Sequence, residues 1–352
     1  ERNPQKMWIF LCRVRLSNPL TGGFICGIII ESESKLIISH GGNMKIITVT
    51  LNPAFDIHCS CDGFAAGEEK LAPVPRHDAG GKGINTSRAL AAGGKESRAV
   101  VAVGRENGDT YLKQLSAAGV DFTAVPIDGR IRENITVHSS GDAETRISFA
   151  GFTADKSLLS KALAAIGETD GDTIVCFAGK NPQGIDISDI KAFIGKVKAT
   201  GACVSLDSSS FEIGDIIDVG AWLIKPNEEE VARYAKTSAG NTEGLIDFAL
   251  ETHKSGTENV MISLGGRGAL LACDEGVFKA EPPETDVIST VGAGDSAIAG
   301  FIAAFTEGKS KEECLRSAVA YGTAACLTPG TNPPRPEDIK MVLAGVSSKK
   351  LK

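Results

Sequence analysis

The sequence predicts an α/β fold, in which a mostly parallel central sheet is covered by helices on both faces. From residue 44 onward, short β-branched, apolar runs alternate with helical stretches, and the runs end in small or polar loops. Ligands bind such sheets at the carboxyl ends of the strands, so the chemistry is expected in these loops. Segments 54–80 and 128–150 interrupt the alternation with patterns typical of a small antiparallel sheet beside the main one.

The strands of the main sheet are predicted from short apolar runs, of which the first is rich in β-branched residues and suits a buried strand. These runs are KIITVTLN (45–52), SRAVVAVG (97–104), DTIVCFAG (172–179), ACVSLDSS (202–209), AWLIKPN (221–227) and NVMISLGG (259–266). The alternating runs NITVHSS and ETRISFAG are predicted to form the smaller sheet.

Helical stretches lie between the apolar runs, and several of them end in glycine, which is a helix stop signal. The stretches are NTSRALAAGG (85–94), TYLKQLSAAGV (110–120), SLLSKALAAI (157–166), DISDIKAFIGKVKATG (186–201), EEEVARYAK (228–236) and two consecutive helices within residues 298–326.

The overall composition narrows the class of protein. The formal charge of −7 argues against nucleic acid as the main partner, because phosphate backbones attract basic surfaces. The apolar runs are shorter than the roughly 18–20 residues of a membrane span. The nine cysteines are scattered and include no CxxC pair, which is typical of thiols in a reducing compartment. We therefore expect a cytoplasmic protein with no nucleic-acid or membrane partner.

The regular pattern also predicts the domain boundaries. It begins abruptly at Met44, so residues 1–43 are interpreted as an N-terminal extension of unknown role. One domain is expected over residues 44–346, and the two interrupting segments belong to it. The polar tail SSKKLK (347–352) is expected to be frayed.

The stretch VGAGDSA (291–297) precedes a long apolar helix and has several interpretations. It matches the dinucleotide pattern G-x-G-x-x-A, but two helices follow it where that pattern requires a strand. The backbone N–H groups of Gly292, Ala293 and Gly294 lie instead at a helix start, which binds anions. Asp295 either caps this helix or accepts a proton from a substrate hydroxyl while the N–H groups stabilise a transferred phosphoryl group.

A second glycine cluster, DAGGKGINTSRAL (78–90), is a loop that leads into a helix. Gly81 permits close approach of a ligand to the backbone. Lys82 supplies a point charge suited to phosphate, and Asn85 offers donors and an acceptor suited to sugar hydroxyls. Taken alone, the same residues are equally compatible with a surface turn.

Together the two clusters resemble the signatures of the PfkB (ribokinase-like) carbohydrate kinase family, in the family's order and about two hundred residues apart. This resemblance implies a ribokinase-like domain with a small β-sheet lid formed by about 54–80 and 128–150. NPAFD (52–56) resembles the family's opening substrate loop, in which Asp56 would accept hydrogen bonds from sugar hydroxyls. Such a lid excludes water and often pairs between subunits, so a homodimer through the lid is expected.

The resemblance also implies a nucleotide and metal site. IKPNEEE (224–230) resembles the family's N-x-x-E element, which implies Lys225 and Asn227 near ATP and Glu230 near Mg²⁺ through water. SLGGRGALL (263–271) resembles the nucleotide loop, in which the residues near ATP would be Ser263, Gly265 and Gly268. Taken alone, these segments are equally a helix start and a glycine hairpin.

Within the family, TLNPAFD and AGGKGIN look more like the branch of 1-phosphofructokinase and tagatose-6-phosphate kinase than like ribokinase. Arg132 and Asn134 resemble the R-x-N element of this branch, and an arginine can bind phosphate through two parallel donors. The loop FAGKNPQG (177–184) departs from the branch, because it lacks the usual serine and contains Lys180.

The resemblance therefore implies an ATP- and Mg²⁺-dependent kinase for a phosphorylated ketohexose, with fructose 1-phosphate converted to the 1,6-bisphosphate as the main expectation. Asp295 would take the hydroxyl proton, while Lys82, Arg132 and Lys180 would bind the sugar phosphate. Asp56 and Asn85 would orient the ring hydroxyls. The alternatives are a tagatose-6-phosphate kinase, a 6-phosphofructokinase and a non-catalytic sugar-binding regulatory protein.

Overall fold

The structure is a computed structural model, and it describes residues 44–65, 67–73, 75–139, 145–235 and 240–352. The predicted extension over residues 1–43, with two of the cysteines, lies outside the described residues, as do parts of the two predicted lid segments. The cysteines within the described ranges are free thiols.

Each of the six predicted apolar runs contains a strand of the main sheet, but this sheet also contains strands that the sequence analysis does not predict. In chain order they are β1 (Lys45–Thr50), β2 (Ala54–Ser60), β3 (Arg76–Gly80), β4 (Arg98–Gly104), β5 (Asp121–Ile127), β6 (Arg132–His138), β7 (Thr145–Ser148), β8 (Thr173–Ala178), β9 (Cys203–Asp207), β10 (Leu223–Ile224), β11 (Asn259–Ser263), β12 (Ala269–Cys273), β13 (Gly276–Glu281) and β14 (Ser347–Lys350).

The helices are α1 (Lys82–Ala92), α2 (Gly108–Ala117), α3 (Ser157–Ile166), α4 (Ile187–Lys198), α5 (Ile213–Val219), α6 (Glu228–Ala235), α7 (Thr242–Lys254), α8 (Ala293–Thr306), α9 (Lys311–Ala325) and α10 (Pro336–Gly345). A short 3₁₀ turn, Gly265–Arg267, separates β11 from β12. The sequence analysis does not predict α5, α7 or α10.

The main sheet confirms the predicted fold class. Among the described residues its strand order is β14-β13-β12-β11-β10-β9-β8-β1-β4-β5. The neighbouring strands β5, β4, β1, β8, β9, β10 and β11 run parallel to one another. Strands β12, β13 and β14 continue the sheet, and each is antiparallel to the strand before it. Helices α3 to α7 contribute to the core on one face, and α1, α8, α9 and α10 contribute to the core on the other. Burial on both faces explains why β8 is apolar and buried along its whole length.

The smaller sheet is present, but the prediction that it is antiparallel is wrong in part. Its order is β3-β2-β6-β7, and its central pair, β2 and β6, is parallel. The reason lies in the main sheet, where β1 and β5 are parallel members of one sheet. The chain leaves both strands at their carboxyl ends and enters β2 and β6 shortly afterwards, so these two strands run in the same direction.

The prediction of a frayed tail over 347–352 is also wrong. Residues Ser347–Lys350 form β14, which pairs with β13, and the Leu351 N–H donates to the Val277 carbonyl at 2.7 Å. An uncovered edge of β13 would expose a row of unpaired backbone groups, and β14 satisfies them. The sequence does not predict this strand because its residues are polar. The strand is stabilised by backbone pairing rather than by side-chain burial.

None of the helices within the described ranges combines the length and the apolar character that a bilayer crossing requires.

Candidate active site

The start of helix α8 brings a buried carboxylate to the carboxyl edge of the sheet. Gly292 precedes the helix with φ +80°, and Asp295 lies in the first turn with only 7% of its surface exposed. The first intrahelical bond runs from the Ser296 N–H to the Gly292 carbonyl at 2.9 Å. The N–H groups of Gly294 and Asp295 precede this bond and are therefore positioned as anion donors, whereas the Ala293 N–H donates to the Thr290 carbonyl at 3.4 Å.

The Asp295 carboxylate faces helix α1 and does not act mainly as a cap. Asn85 Nδ2 donates to Asp295 Oδ2 at 2.9 Å, and the Thr86 hydroxyl donates to the Asp295 carbonyl at 3.4 Å. Burial raises the pKa of Asp295 to about 6, although Lys82 opposes this shift. A carboxylate with a pKa in this range suits general base catalysis near neutral pH.

Two lysines share a buried aspartate next to this carboxylate. Lys82 Nζ lies 3.0 Å from Asp207 Oδ1, and Lys225 Nζ lies 4.0 Å from Asp207 Oδ2. Burial disfavours the charged form of Asp207, but Lys225 and Lys82 outweigh burial, so its pKa lies below the ordinary value. Two ammonium groups and one carboxylate give this cluster one excess positive charge.

Asp207 is a site residue that the sequence analysis missed. It is the last residue of β9 and has 6% of its surface exposed. An acidic residue at the carboxyl end of a buried parallel strand is the signal that could have identified it.

A second carboxylate, Asp56 on β2, lies in the smaller sheet. Asn134 Nδ2 donates to Asp56 Oδ1 at 2.9 Å, and an Arg146 guanidinium nitrogen lies 3.5 Å from the same oxygen. Gly80 pairs with Ala54 in the β2–β3 register, and a Cβ atom at Gly80 would lie 2.2 Å from Asp56 Oδ2. Arg132 donates to the Phe149 carbonyl at 3.0 Å. Of these groups, the sequence analysis missed Arg146, which lies on β7.

Two buried amide oxygens close to the carboxylates have no hydrogen-bond partner within the described structure. They are Asn85 Oδ1 and Asn134 Oδ1. A buried acceptor without a partner is costly to the fold, so such atoms are expected where a ligand supplies the donor. Sugar hydroxyls are donors of this kind.

The predicted nucleotide residues line one cavity of about 790 Å³. Its lining includes the start of α8 as well, so the nucleotide loop and the anion donors face the same space. The lining residues that the sequence predicts for the site are Lys225, Asn227, Ser263, Gly265, Gly268, Ala293 and Gly294. Gly294 is close to Lys225, because a Cβ atom at Gly294 would lie 2.9 Å from Lys225 Nζ.

Glu230 forms a reciprocal hydrogen-bond pair at the start of α6. The Asn227 N–H donates to Glu230 Oε2 at 2.9 Å, and the Glu230 N–H donates to Asn227 Oδ1 at 2.7 Å. This capping arrangement is the simpler interpretation that the sequence allowed. Within the described residues no cluster of three or more His, Cys, Asp or Glu side chains could hold a metal ion by itself.

Gly81 and Lys180 are the two remaining residues that the sequence predicts for the site. Gly81 precedes α1 with φ +128°, and a Cβ atom there would lie 3.0 Å from Thr50 and 3.4 Å from Pro53. Lys180 is exposed, and none of the described hydrogen bonds or ion pairs joins it to Asp56, Asp207 or Asp295. Its role in phosphate binding stays a prediction.

Comparisons with known proteins show which proteins this chain is similar to. The model of the "pfkB family carbohydrate kinase" matches residues 49–338. The 1-phosphofructokinase of Escherichia coli K12 is 30% identical over 285 residues, which cover 80% of this chain and 90% of that protein. The 1-phosphofructokinase of Rhodobacter capsulatus is 30% identical over 311 residues, which cover 88% and 98%. The crystal structure of E. coli phosphofructokinase-2 in complex with fructose-6-phosphate has a TM-score of 0.80 at 25% identity and covers 86% of this chain and 98% of that chain.

Proposed function

The chain belongs to the pfkB family of carbohydrate kinases, and from this premise we propose that it transfers the γ-phosphoryl group of ATP to the 6-hydroxyl of fructose 1-phosphate. The product is fructose 1,6-bisphosphate. Membership of the family makes the chain an ATP-dependent sugar kinase, and the choice of acceptor is the proposal. It is supported by two relatives named 1-phosphofructokinase, each aligned over at least 80% of this chain.

The main structural support is the position of Asp295. This carboxylate is buried where the nucleotide cavity meets helix α1, and its pKa is raised by burial to about 6. A carboxylate there can take the proton of an acceptor hydroxyl, while the free N–H groups at the start of α8 stabilise charge on the transferred phosphoryl group. The raised pKa makes the carboxylate a stronger base than an exposed aspartate.

The smaller sheet supplies the groups that suit the other end of the acceptor. Asp56 can accept hydrogen bonds from sugar hydroxyls, and the free amide oxygens of Asn85 and Asn134 can do the same. Arg132 and Arg146 offer planar guanidinium donors that match a phosphate. The resident phosphate of the sugar is therefore expected beside these arginines.

The described residues fit a magnesium ion that is held mainly by ATP oxygens and water. Asp207 Oδ2 is buried without a hydrogen bond, and Glu230 presents a carboxylate at the start of α6, so both can accept hydrogen bonds from metal-bound water. When bound, the ion neutralises charge on the nucleotide phosphates. Lys225 and the N–H groups of α8 bind the same phosphates from the protein side.

A second candidate, 6-phosphofructokinase activity, is favoured by one observation. The E. coli phosphofructokinase-2 structure aligned over 86% of this chain is described in complex with fructose-6-phosphate. The two reactions differ in which end of the ketohexose carries the resident phosphate. We propose fructose 1-phosphate as the acceptor because the identity to the two 1-phosphofructokinases is higher, at 30% against 25%.

An ADP-release assay coupled to a detection enzyme tests the proposal. Fructose 1-phosphate, fructose 6-phosphate, tagatose 6-phosphate, fructose and ribose would be compared by kcat/KM at saturating ATP. We expect fructose 1-phosphate to exceed every other acceptor by at least about 10-fold. A higher kcat/KM for another acceptor would overturn the assignment, and no turnover of any sugar would favour a non-catalytic sugar-binding protein.

A further inference from the structure

We propose that Asn52 is a positioning residue for the phosphate end of the sugar, because its side-chain amide fixes the smaller sheet and the loop 177–184 relative to each other. The proposal rests on the proposed function, since it concerns the selection of a phosphorylated acceptor in that reaction. Asn52 itself is not expected to touch the reacting atoms.

The first support is the bonding of the Asn52 amide. Asn52 is two residues beyond the end of β1 and has 2% of its surface exposed. Its Nδ2 donates to the Ala150 carbonyl at 2.9 Å and to the Asn181 carbonyl at 3.2 Å. Ala150 belongs to the exit segment, residues 149–154, where the chain leaves the smaller sheet after β7, and Asn181 lies in the loop after β8. One amide group therefore uses both of its N–H donors to join two separate segments of the chain.

The second support is the packing of the exit segment on Asn52. Gly151 has φ +91°, and a Cβ atom there would lie 2.4 Å from Asn52 Oδ1. This oxygen is buried and has no hydrogen-bond partner within the described structure. Gly151 covers it, so it is not placed to receive a sugar hydroxyl. A buried acceptor without a partner is costly to the fold, and the two N–H bonds are what the side chain provides in return.

The third support is the position of Arg132, which rests on the segments that Asn52 joins. Arg132 Nε donates to the Pro53 carbonyl at 3.4 Å, and Arg132 Nη1 donates to the Phe149 carbonyl at 3.0 Å. Pro53 directly follows Asn52 in the chain, and Phe149 is the first residue of the exit segment. The arginine that is expected beside the sugar phosphate therefore depends on the same anchor.

The loop 177–184 is bound to the exit segment as well. The Ala154 N–H donates to the Gln183 carbonyl at 2.8 Å, and the Asn181 carbonyl accepts from Asn52. Lys180 directly precedes Asn181, so this loop carries the second cation that is predicted for the sugar phosphate. Two cations bind one phosphate well only if their spacing matches its oxygens. By holding both backbone supports, Asn52 sets this spacing.

The test uses Asn52→Ala with a phosphorylated and an unphosphorylated acceptor. The substitution should raise the KM for fructose 1-phosphate by about 10-fold or more and leave kcat within about 3-fold, because the supports of the phosphate are released and the reacting groups are not. Both constants for fructose should stay within about 3-fold of wild type, because fructose carries no phosphate. Equal losses on both acceptors, or an unchanged KM for fructose 1-phosphate, would overturn the proposal.

Asn259→Ala is the matched control. Asn259 is fully buried at the start of β11, at the amino edge of the sheet, and its Nδ2 donates to the Trp222 carbonyl at 2.8 Å. Its Oδ1 is also a buried oxygen without a partner in the described part of the chain. This variant should keep the acceptor preference of wild type within about 3-fold, and an equal loss of preference would overturn the proposal. If Asn52→Ala does not fold, Asn52→Asp replaces it, because the ionised carboxylate has the same shape and no N–H donor.

Hydrogen exchange separates failure of this proposal from failure of the proposed function, because it needs no sugar. In Asn52→Ala the backbone amides of residues 149–154 and 177–184 should exchange about 10-fold faster or more than in wild type, while those of α9 keep their rate. Unchanged exchange in either segment overturns the role of Asn52. Faster exchange in both segments, together with a wild-type preference for another phosphorylated sugar, overturns only the proposed acceptor, and the KM comparison is then made with that sugar.

Discussion

Asp295 is an acidic side chain whose burial makes its charge costly to the fold, and we propose that this carboxylate takes the proton of the acceptor hydroxyl. We expect Asp295→Asn to lower kcat by about 100-fold or more, which is the usual contribution of a positioned general base. The Kd for ATP should change little, because the backbone N–H groups of the α8 start remain. Steady-state kinetics together with calorimetry of ATP binding check this prediction. A variant with near-normal turnover would rule out Asp295 as the base.

The same substitution predicts a pH-dependent gain in stability. The folded-state pKa of Asp295 is about 6, above the ordinary value of 3.8, so folding favours its protonated form. The ionised carboxylate therefore costs up to about 3 kcal/mol of unfolding free energy above pH 6, and this cost disappears as the pH falls toward 4. Asp295→Asn should melt at a higher temperature than wild type at pH 8. The two melting temperatures should converge near pH 4, and a constant difference between them would contradict the pKa.

At this scale the sequence predicts the residues that belong to local motifs and misses those that do not. Asp295, Lys82 and Asn85 were identified because glycines and helix starts surround them in the chain. Asp207 and Arg146 lie on strands β9 and β7 without such neighbours, and only the pairing of strands brings them to the site. The position of Asp207 at the end of a buried strand is a local signal, but its contacts with Lys82 and Lys225, like the contact of Arg146 with Asp56, join residues distant in the chain and are not contained in a local pattern.

Among the elements, the turn between β11 and β12 depends on one glycine. Gly268 has φ +84°, and a Cβ atom there would lie 1.9 Å from the Ala280 carbonyl oxygen. We expect Gly268→Ala to lower the unfolding free energy by about 2 kcal/mol or more and to weaken ATP binding, because β12 must move away from β13. Denaturant unfolding and ATP calorimetry measure the two effects.

Gly266 provides a matched control for stability in the same turn. A Cβ atom at Gly266 would meet nothing within 4 Å. Gly266→Ala should therefore leave the unfolding free energy within about 0.5 kcal/mol of wild type. Equal destabilisation by both substitutions would show that the turn tolerates no side chain anywhere, and not that Gly268 is special.

The sequence predicts elements best where burial alone determines them. The runs that became β1, β4 and β8 are apolar because both faces of the sheet are covered, and their alternation with helices predicts a parallel sheet. The β14 strand and the parallel β2–β6 pair escaped prediction for another reason. The first is held by backbone pairing to β13, and the direction of the second is set by the order of strands in the main sheet.

For the whole molecule, the smaller sheet provides the surface through which we expect two copies to associate. Ile147 and Phe149 are two residues apart in the chain and have 46% and 51% of their surfaces exposed at this sheet. Exposed apolar side chains that lie close together are typical of a protein interaction surface. We expect wild type to sediment as a dimer and the variant Ile147→Ser, Phe149→Ser to sediment as a monomer with a raised KM for the sugar. Analytical ultracentrifugation and steady-state kinetics measure both.

The matched control is Met341→Ser on helix α10, where 57% of the methionine is exposed. This variant should keep the sedimentation behaviour of wild type. A wild-type protein that sediments as a monomer at assay concentrations would contradict dimerisation through the smaller sheet, as would a double variant that remains dimeric.

The hydrogen bond between Asn85 and Asp295 joins positions that are 210 residues apart in the chain. During synthesis on the ribosome, α1 emerges long before the segment that contains the base. A chain that ends before Asp295 lacks the proposed base, so we expect it to transfer no phosphoryl group. We therefore expect phosphoryl transfer only after the segment that contains Asp295 has been made and has folded against α1.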